Sequence, residues 1–130
     1  MGQTLTQDSL ALVVDDHDAV RRALCERIKV SFGQFRLREA RSVDEALKIV
    51  DAEKVDIVLM DIQLPGTDGV DGTRAVLEHS PRTSVVVVSM FDDVTHRAAA
   101  QKAGAVAYVC KRAIRRELIP VLERLMNCGQ

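Results

Sequence analysis

The sequence predicts a doubly wound α/β domain, with a five-stranded parallel sheet and helices on both faces. Three observations predict it. Five short apolar runs alternate with five stretches of helical period along the 130 residues, and strict alternation of strand and helix builds parallel sheets covered on both sides. The run Val85-Val86-Val87-Val88 is apolar at every position, as suits a strand buried on both faces. The turn and cap signals, Pro65-Gly66 and Gly104 among them, fall between the runs.

The elements follow in order. Leu10–Val14 is the first run, and Val20, Leu24 and Ile28 then recur at every fourth residue, which places them on one helix face. Phe35–Glu39 is a weaker second run. Val43, Leu47 and Val50 mark the second helix, opened by a capping box of Ser42 and Glu45. Val55–Met60 is the third run, and Pro65-Gly66 with Gly69 marks the loop after it. A shorter third helix runs from Val70 to His79, and Ser84–Val88 is the fourth run. An alanine-rich fourth helix covers Val94 to Ala103, closed by Gly104 as a C′ glycine. Val106–Cys110 is the last run, and Leu118, Val121, Leu122 and Leu125 share one side of the last helix. Pro120 falls inside that pattern just beyond its first turn, so a late start or a kink is expected there.

Composition excludes several classes. The chain has room for one domain, and 47% apolar with 28% charged residues is the balance of an ordinary globular protein. A net charge of −1 gives no whole-molecule attraction to nucleic acid or an anionic membrane. The apolar runs are too short to cross a bilayer, and no basic-then-apolar start signals secretion, so a cytoplasmic location is expected. Cys25, Cys110 and Cys128 are odd in number and lack a CxxC pair, which fits reduced thiols. His17, His79 and His96 do not fall at zinc-ligand spacing with them and read as surface residues; His17, beside the acidic pair, could be a ligand, but a residue that follows such a pair and opens a helix is more often exposed.

Open α/β sheets bind ligands beyond the carboxyl ends of their strands, where strand order reverses. In an order of 2-1-3-4-5 that point lies between the first and third strands. Asp15 and Asp16 follow the first run, Asp61 the third, Ser89 the fourth and Lys111 the fifth. Three carboxylates close together repel one another and raise one another's pKa. Carboxylate oxygens of this kind suit a hard cation such as Mg2+, which takes one or two of them together with waters and a phosphate. Lys111 adds a positive charge and Ser89 a hydroxyl donor, so the set complements a phosphoryl group. Asp61 can itself serve as the nucleophile.

With these motifs the chain resembles the response-regulator receiver family of two-component signalling. The motifs are Val-Val-Asp15-Asp16, Met60-Asp61-Ile-Gln-Leu-Pro65-Gly66-Thr-Asp-Gly69, Val-Val-Val-Ser89-Met and Gly104-Ala-Val-Ala-Tyr108-Val-Cys-Lys111. The resemblance implies one receiver domain over residues 1–130, with a core of about 10–126 and the flavodoxin-like order 2-1-3-4-5. It implies that Asp61 is the phosphoacceptor and that Asp16 and Asp61 ligate Mg2+ or a cation such as Mn2+, with Asp15 acting mainly through water. The backbone carbonyl of Gln63 would complete the protein ligands. Ser89 would bond a phosphoryl oxygen, Lys111 would pair with the phosphate and Tyr108 would change rotamer as the switch. Gln63 and Phe91 would flank the path of the hydrolytic water. The implied donor is a phosphohistidine on a sensor histidine kinase or phosphotransfer protein. The implied response is a change in the surface around the fourth and fifth helices, with homodimerisation on phosphorylation among its outcomes and no direct binding of nucleic acid or membrane. The stretch Ser89-Met-Phe-Asp-Asp is most similar to receivers that precede a LuxR-type helix-turn-helix domain, although no such domain is read in these 130 residues. Arg112 stands where many relatives have proline or aspartate, and Thr67 where methionine is frequent.

Other readings compete less well. Asp16-His-Asp18-Ala-Val matches the opening motif of haloacid-dehalogenase-type phosphatases, with Asp16 as nucleophile, Asp18 as acid/base and Ser89 as second-motif hydroxyl, but it leaves Asp61 unexplained. Gly66, Gly69 and Gly72 are spaced GxxGxxG rather than as a dinucleotide fingerprint, and aromatics at 3% are too few for a flavin site. The basic cluster Lys111, Arg112, Arg115 and Arg116 lacks interleaved aromatics and reads as one helix start. A degenerate receiver that binds partners without phosphate would not need the acidic set.

Overall fold

A computed structural model describes residues 9–33 and 35–127; Cys128 lies outside them. Five parallel strands form one sheet: β1 (Leu10–Val14), β2 (Arg36–Ala40), β3 (Ile57–Asp61), β4 (Ser84–Ser89) and β5 (Ala107–Cys110). Their order is β2-β1-β3-β4-β5, the predicted one. The helices are α1 (Asp18–Ser31), α2 (Val43–Ala52), α3 (Gly69–His79), α4 (Val94–Ala103) and α5 (Ile114–Asn127), with a short 3-10 turn at Lys111–Ala113. Among the described residues no helix is long and apolar enough to cross a membrane.

Side chains alternate across a strand with period two, and this divides the core into layers. Ala11, Val13, Ile57, Leu59, Val86, Val88 and Val109 pack with Leu24, Ile28, Leu118 and Leu122 on the α1/α5 side. Leu10, Leu12, Val14, Val58, Met60 and Val85 pack with Val43, Ala46, Val50 and Val76 on the α2/α3 side. A third group of Ile62, Val87 and Ala100, with Tyr108 against it, lies under α4. Each Leu, Ile or Val so buried contributes about 1.5–3 kcal/mol. The central strands β1, β3 and β4 are buried at every position, whereas the edge strand β2 is mostly exposed. That edge position explains the weakness of its apolar signal.

Three expectations need correction. Val20 is 36% exposed, and the buried face of α1 is Arg21, Leu24, Cys25 and Ile28 instead. A strict four-residue repeat drifts about 40° per step around a helix of 3.6 residues per turn, so Val20 slides off the stripe. Ser42 Oγ accepts from the Glu45 N–H as a cap should, but the Glu45 carboxylate accepts from the N–H of Arg41, one residue before the cap. The last helix does not start late: α5 begins at Ile114 and carries Pro120 within it. Proline removes the bond to the carbonyl of Arg116, and both residues lie on the exposed side, where that carbonyl is accessible to solvent. Gly104 closes α4 as expected, at φ 109°, and a Cβ there would lie 2.5 Å from Leu77 Cδ1.

Candidate functional site

Alternation places the site residues before any contact is measured. Asp15, Asp61 and Lys111 continue the parity of Val13, Leu59 and Val109, which face α1 and α5. Ser89 continues that of Val87, and Tyr108 faces the same way, toward α4. The structure therefore forms two adjoining groups at the carboxyl edge of the sheet, joined through the pairing of β3 with β4, where Asp61 stands opposite Val88.

In the first group Lys111 reaches across the sheet. Its Nζ lies 3.0 Å from Asp15 Oδ2 and 3.2 Å from Asp61 Oδ1, and both carboxylates are almost fully buried. Asp15 is held at every backbone atom that points inward. Its N–H donates to the Ala40 carbonyl, and its own carbonyl accepts from Arg21 Nη1 at 2.8 Å. Its Oδ1 accepts from the His17 N–H at 2.9 Å. Asp61 Oδ1 also accepts from the Gln63 N–H at 3.2 Å, which sets the carboxylate plane. Asp61 Oδ2 is buried without a hydrogen bond, as is Asp16 Oδ1. Gly69 lets the start of α3 press against this strand end, since a Cβ there would lie 2.1 Å from the Asp61 carbonyl oxygen.

Burial pushes the Asp61 carboxyl above the usual carboxylate range; the Lys111 ammonium and the Gln63 N–H pull it down, and the Asp15 charge pushes it up again. Mutual repulsion among the carboxylates, the source read from the sequence, is thus secondary to desolvation. Asp15, Asp16, His17 and Asp61 each offer a ligand atom within 4.8 Å of the others. The donor set is dominated by hard oxygens, and two of those oxygens lack any hydrogen bond, so the residues fit a divalent cation.

The second group is aromatic. Ser89 Oγ accepts from the Phe91 N–H at 3.0 Å, and the Tyr108 hydroxyl donates to the Phe91 carbonyl at 2.6 Å. Burial raises the Tyr108 phenol above its ordinary pKa, and the neighbouring Ser89 hydroxyl opposes that rise. Arg97 covers the Tyr108 ring at 4.7 Å, and the Phe91 and His96 rings stack at 4.5 Å. Lys111 opens the 3-10 turn, and Arg112 Nη2 donates to the Met90 carbonyl at 3.3 Å.

Residues 11–123 match the response regulator receiver domain. The chain belongs to this family. Receiver domains are phosphorylation-dependent switches of two-component signalling, and a dehalogenase-type phosphatase is not supported. Asp18, the acid/base of that reading, is bound by Arg21 Nη2 at 2.7 Å, which holds its carboxyl below the usual range. The response regulator GacA of Pseudomonas viridiflava is 35% identical over 119 residues, covering 92% of this chain and 55% of GacA. The chain therefore spans about half the length of the curated relatives it matches. A LuxR-family two-component response regulator from Aurantimonas sp. SI85-9A1 superposes with a TM-score of 0.85 at 28% identity, over 92% of this chain and 86% of that one. A Burkholderia pseudomallei response regulator solved with a phosphorylated aspartic acid, calcium ion and citrate does so at 0.78 and 25% identity, over 91% and 66%.

Three residues of this receiver have partners that the sequence does not reveal, although His17 is exposed as expected. Arg21 is a buried cation tied to Asp18, Glu39 and the Asp15 carbonyl. Its signal was the spacing 21-24-25-28, which is the true i, i+3, i+4, i+7 stripe. His17 Nδ1 lies 3.2 Å from Asp16 Oδ1 and 3.4 Å from Asp15 Oδ1. His96 carries the ring on which Phe91 stacks, a partnership that no local pattern announces.

Proposed function

We propose that this chain is a single receiver domain, with a core of about residues 10–126, that takes a phosphoryl group onto Asp61 from a phosphohistidine of a sensor kinase or phosphotransfer protein. An Asp61 carboxylate oxygen attacks phosphorus, a P–O bond forms, the P–N bond breaks, and the departing imidazole keeps the electron pair and takes a proton from solvent. The observation that carries this reading is Asp61 itself: a buried carboxylate held by Lys111 and the Gln63 N–H, with Oδ2 free of any hydrogen bond. The Burkholderia relative's phosphorylated aspartic acid supports it.

Asp16 and Asp61, with the Gln63 backbone carbonyl and Asp15 through water, would hold Mg2+ or Mn2+. When bound, the cation supplies charge neutralisation for the phosphoryl oxygens. Lys111 moves from the two carboxylates onto the arriving phosphoryl group, and Ser89 donates its hydroxyl to a phosphoryl oxygen. Ser89 then releases the Phe91 N–H, which loosens the Phe91 carbonyl that anchors Tyr108. Tyr108 changes rotamer, and the surface of α4, β5 and α5 follows. That surface controls an output partner or domain in the cytoplasm, with homodimerisation as one readout. Gln63 and Phe91 flank the water path, and Phe91, fixed against His96, slows hydrolysis by excluding water.

Acetyl phosphate with Mg2+ tests the reading by intact mass. The wild type gains one phosphoryl group and Asp61→Asn gains none; undiminished labelling of Asp61→Asn contradicts it.

A further inference from the structure

We propose that His17 is a nitrogen ligand of the cation held by the Asp15, Asp16 and Asp61 carboxylates, and that it tunes the site toward Co2+, Ni2+ or Zn2+ over Mg2+. The inference rests on the divalent-cation site of the preceding reading and adds a ligand and a selectivity to it. His17 Nδ1 stands 3.2 Å from Asp16 Oδ1 and 3.4 Å from Asp15 Oδ1, and one ligand atom from each of the four residues falls within 4.8 Å of the rest. An independent observation points to a ligand at the same place: Asp61, only 3% exposed, keeps Oδ2 without a hydrogen bond.

Although the His17 side chain is 67% exposed, its backbone is fixed. It is the N-cap of α1, its N–H donates to Asp15 Oδ1 at 2.9 Å, and its carbonyl accepts from the Arg21 N–H at 2.9 Å. The imidazole is therefore tethered at the mouth of the cluster, and Nδ1 faces the carboxylates. Mg2+ prefers oxygen and water and gains little from an imidazole. Later first-row ions bind nitrogen well, in the order Mn2+ below Co2+ below Ni2+. A ring that merely ion-pairs with the carboxylates would compete with every cation alike, so its removal would strengthen all of them. A ligand would be missed by the nitrogen-seeking ions alone.

Titration of the whole chain with Mg2+ and with Co2+ at one fixed neutral pH separates these cases. His17→Ala is expected to weaken Co2+ by about tenfold and to leave Mg2+ within about twofold. Wild type loaded with Co2+ should show a hyperfine-shifted exchangeable imidazole N–H signal that His17→Ala lacks. Equal changes for both ions, or no shifted imidazole signal, would overturn the role of His17 while leaving an oxygen-ligated site intact. If Asp16→Asn weakened neither ion, the carboxylate site itself would be wrong, and the inference would fall with it.

Discussion

The acidic pocket and the aromatic cluster beside it share one sheet edge but are built by opposite means. Asp15, Asp61 and Lys111 lie on the α1/α5 side, where every polar side-chain atom except Asp61 Oδ2 is pinned by a charge or by the backbone. Ser89, Phe91, Tyr108, His96 and Arg97 lie toward α4, held by hydrogen bonds through the Phe91 backbone, by ring contacts and by exposed ion pairs of His96 with Asp93 and of Arg97 with Asp92. The pocket is preorganised to receive charge, and the cluster is poised to rearrange at small cost. A single residue step along a strand separates them, because Val88 faces one side and Ser89 the other.

The contrast breaks most severely at Lys111. Lys111→Ala leaves two buried carboxylates without their counter-charge, and loss of one partner from such a set costs about 3 kcal/mol. Denaturant unfolding at neutral pH should show that loss, and it should shrink on acidification as Asp61 protonates. Phosphorylation, where it still occurs, should no longer change self-association. A variant as stable as wild type would mean that the ammonium does not hold the pocket.

A smaller effect of opposite sign is expected at Asp61. Its folded-state pKa is raised above its unfolded value, so the folded protein binds more protons between the two values, and stability falls as pH rises through that window. Asp61→Asn removes this cost while its amide oxygen can still accept from the Gln63 N–H. It should therefore raise the melting temperature of the cation-free protein at neutral pH by several degrees, an effect of about 1 kcal/mol. The gain should vanish below the ordinary carboxylate range. A neutral or destabilising substitution at pH 7 would show that Lys111 outweighs burial.

The fold was legible because the runs Leu10–Val14, Ile57–Met60 and Val85–Val88 are apolar at every position, a pattern that suits strands buried on both faces. The acidic set was legible because strand ends are fixed by those same runs. Arg21 was not, because a charged residue on a helix reads as solvent-facing until its partners, Glu39 from β2 among them, arrive from elsewhere. The His17 contacts and the Phe91–His96 stack escaped for the same reason: rotamers and loop course, not spacing, decide them.

The smallest effect sharpens the aromatic side. Phe91→Ala should shorten the phosphorylated lifetime severalfold at constant Mg2+, because water gains the approach that the stacked ring narrows. Stability should change by less than about 1 kcal/mol, since Phe91 is 38% exposed. An unchanged lifetime would remove Phe91 from the water path.

Borohydride reduction tests the central claim most directly, because it converts an aspartyl phosphate to homoserine at the position that carried it. After treatment with acetyl phosphate and Mg2+, peptide mapping by mass spectrometry should find homoserine at position 61 and aspartate retained at positions 15 and 16. Homoserine at position 15 or 16, with position 61 unmodified, would contradict the assignment of Asp61 as the acceptor.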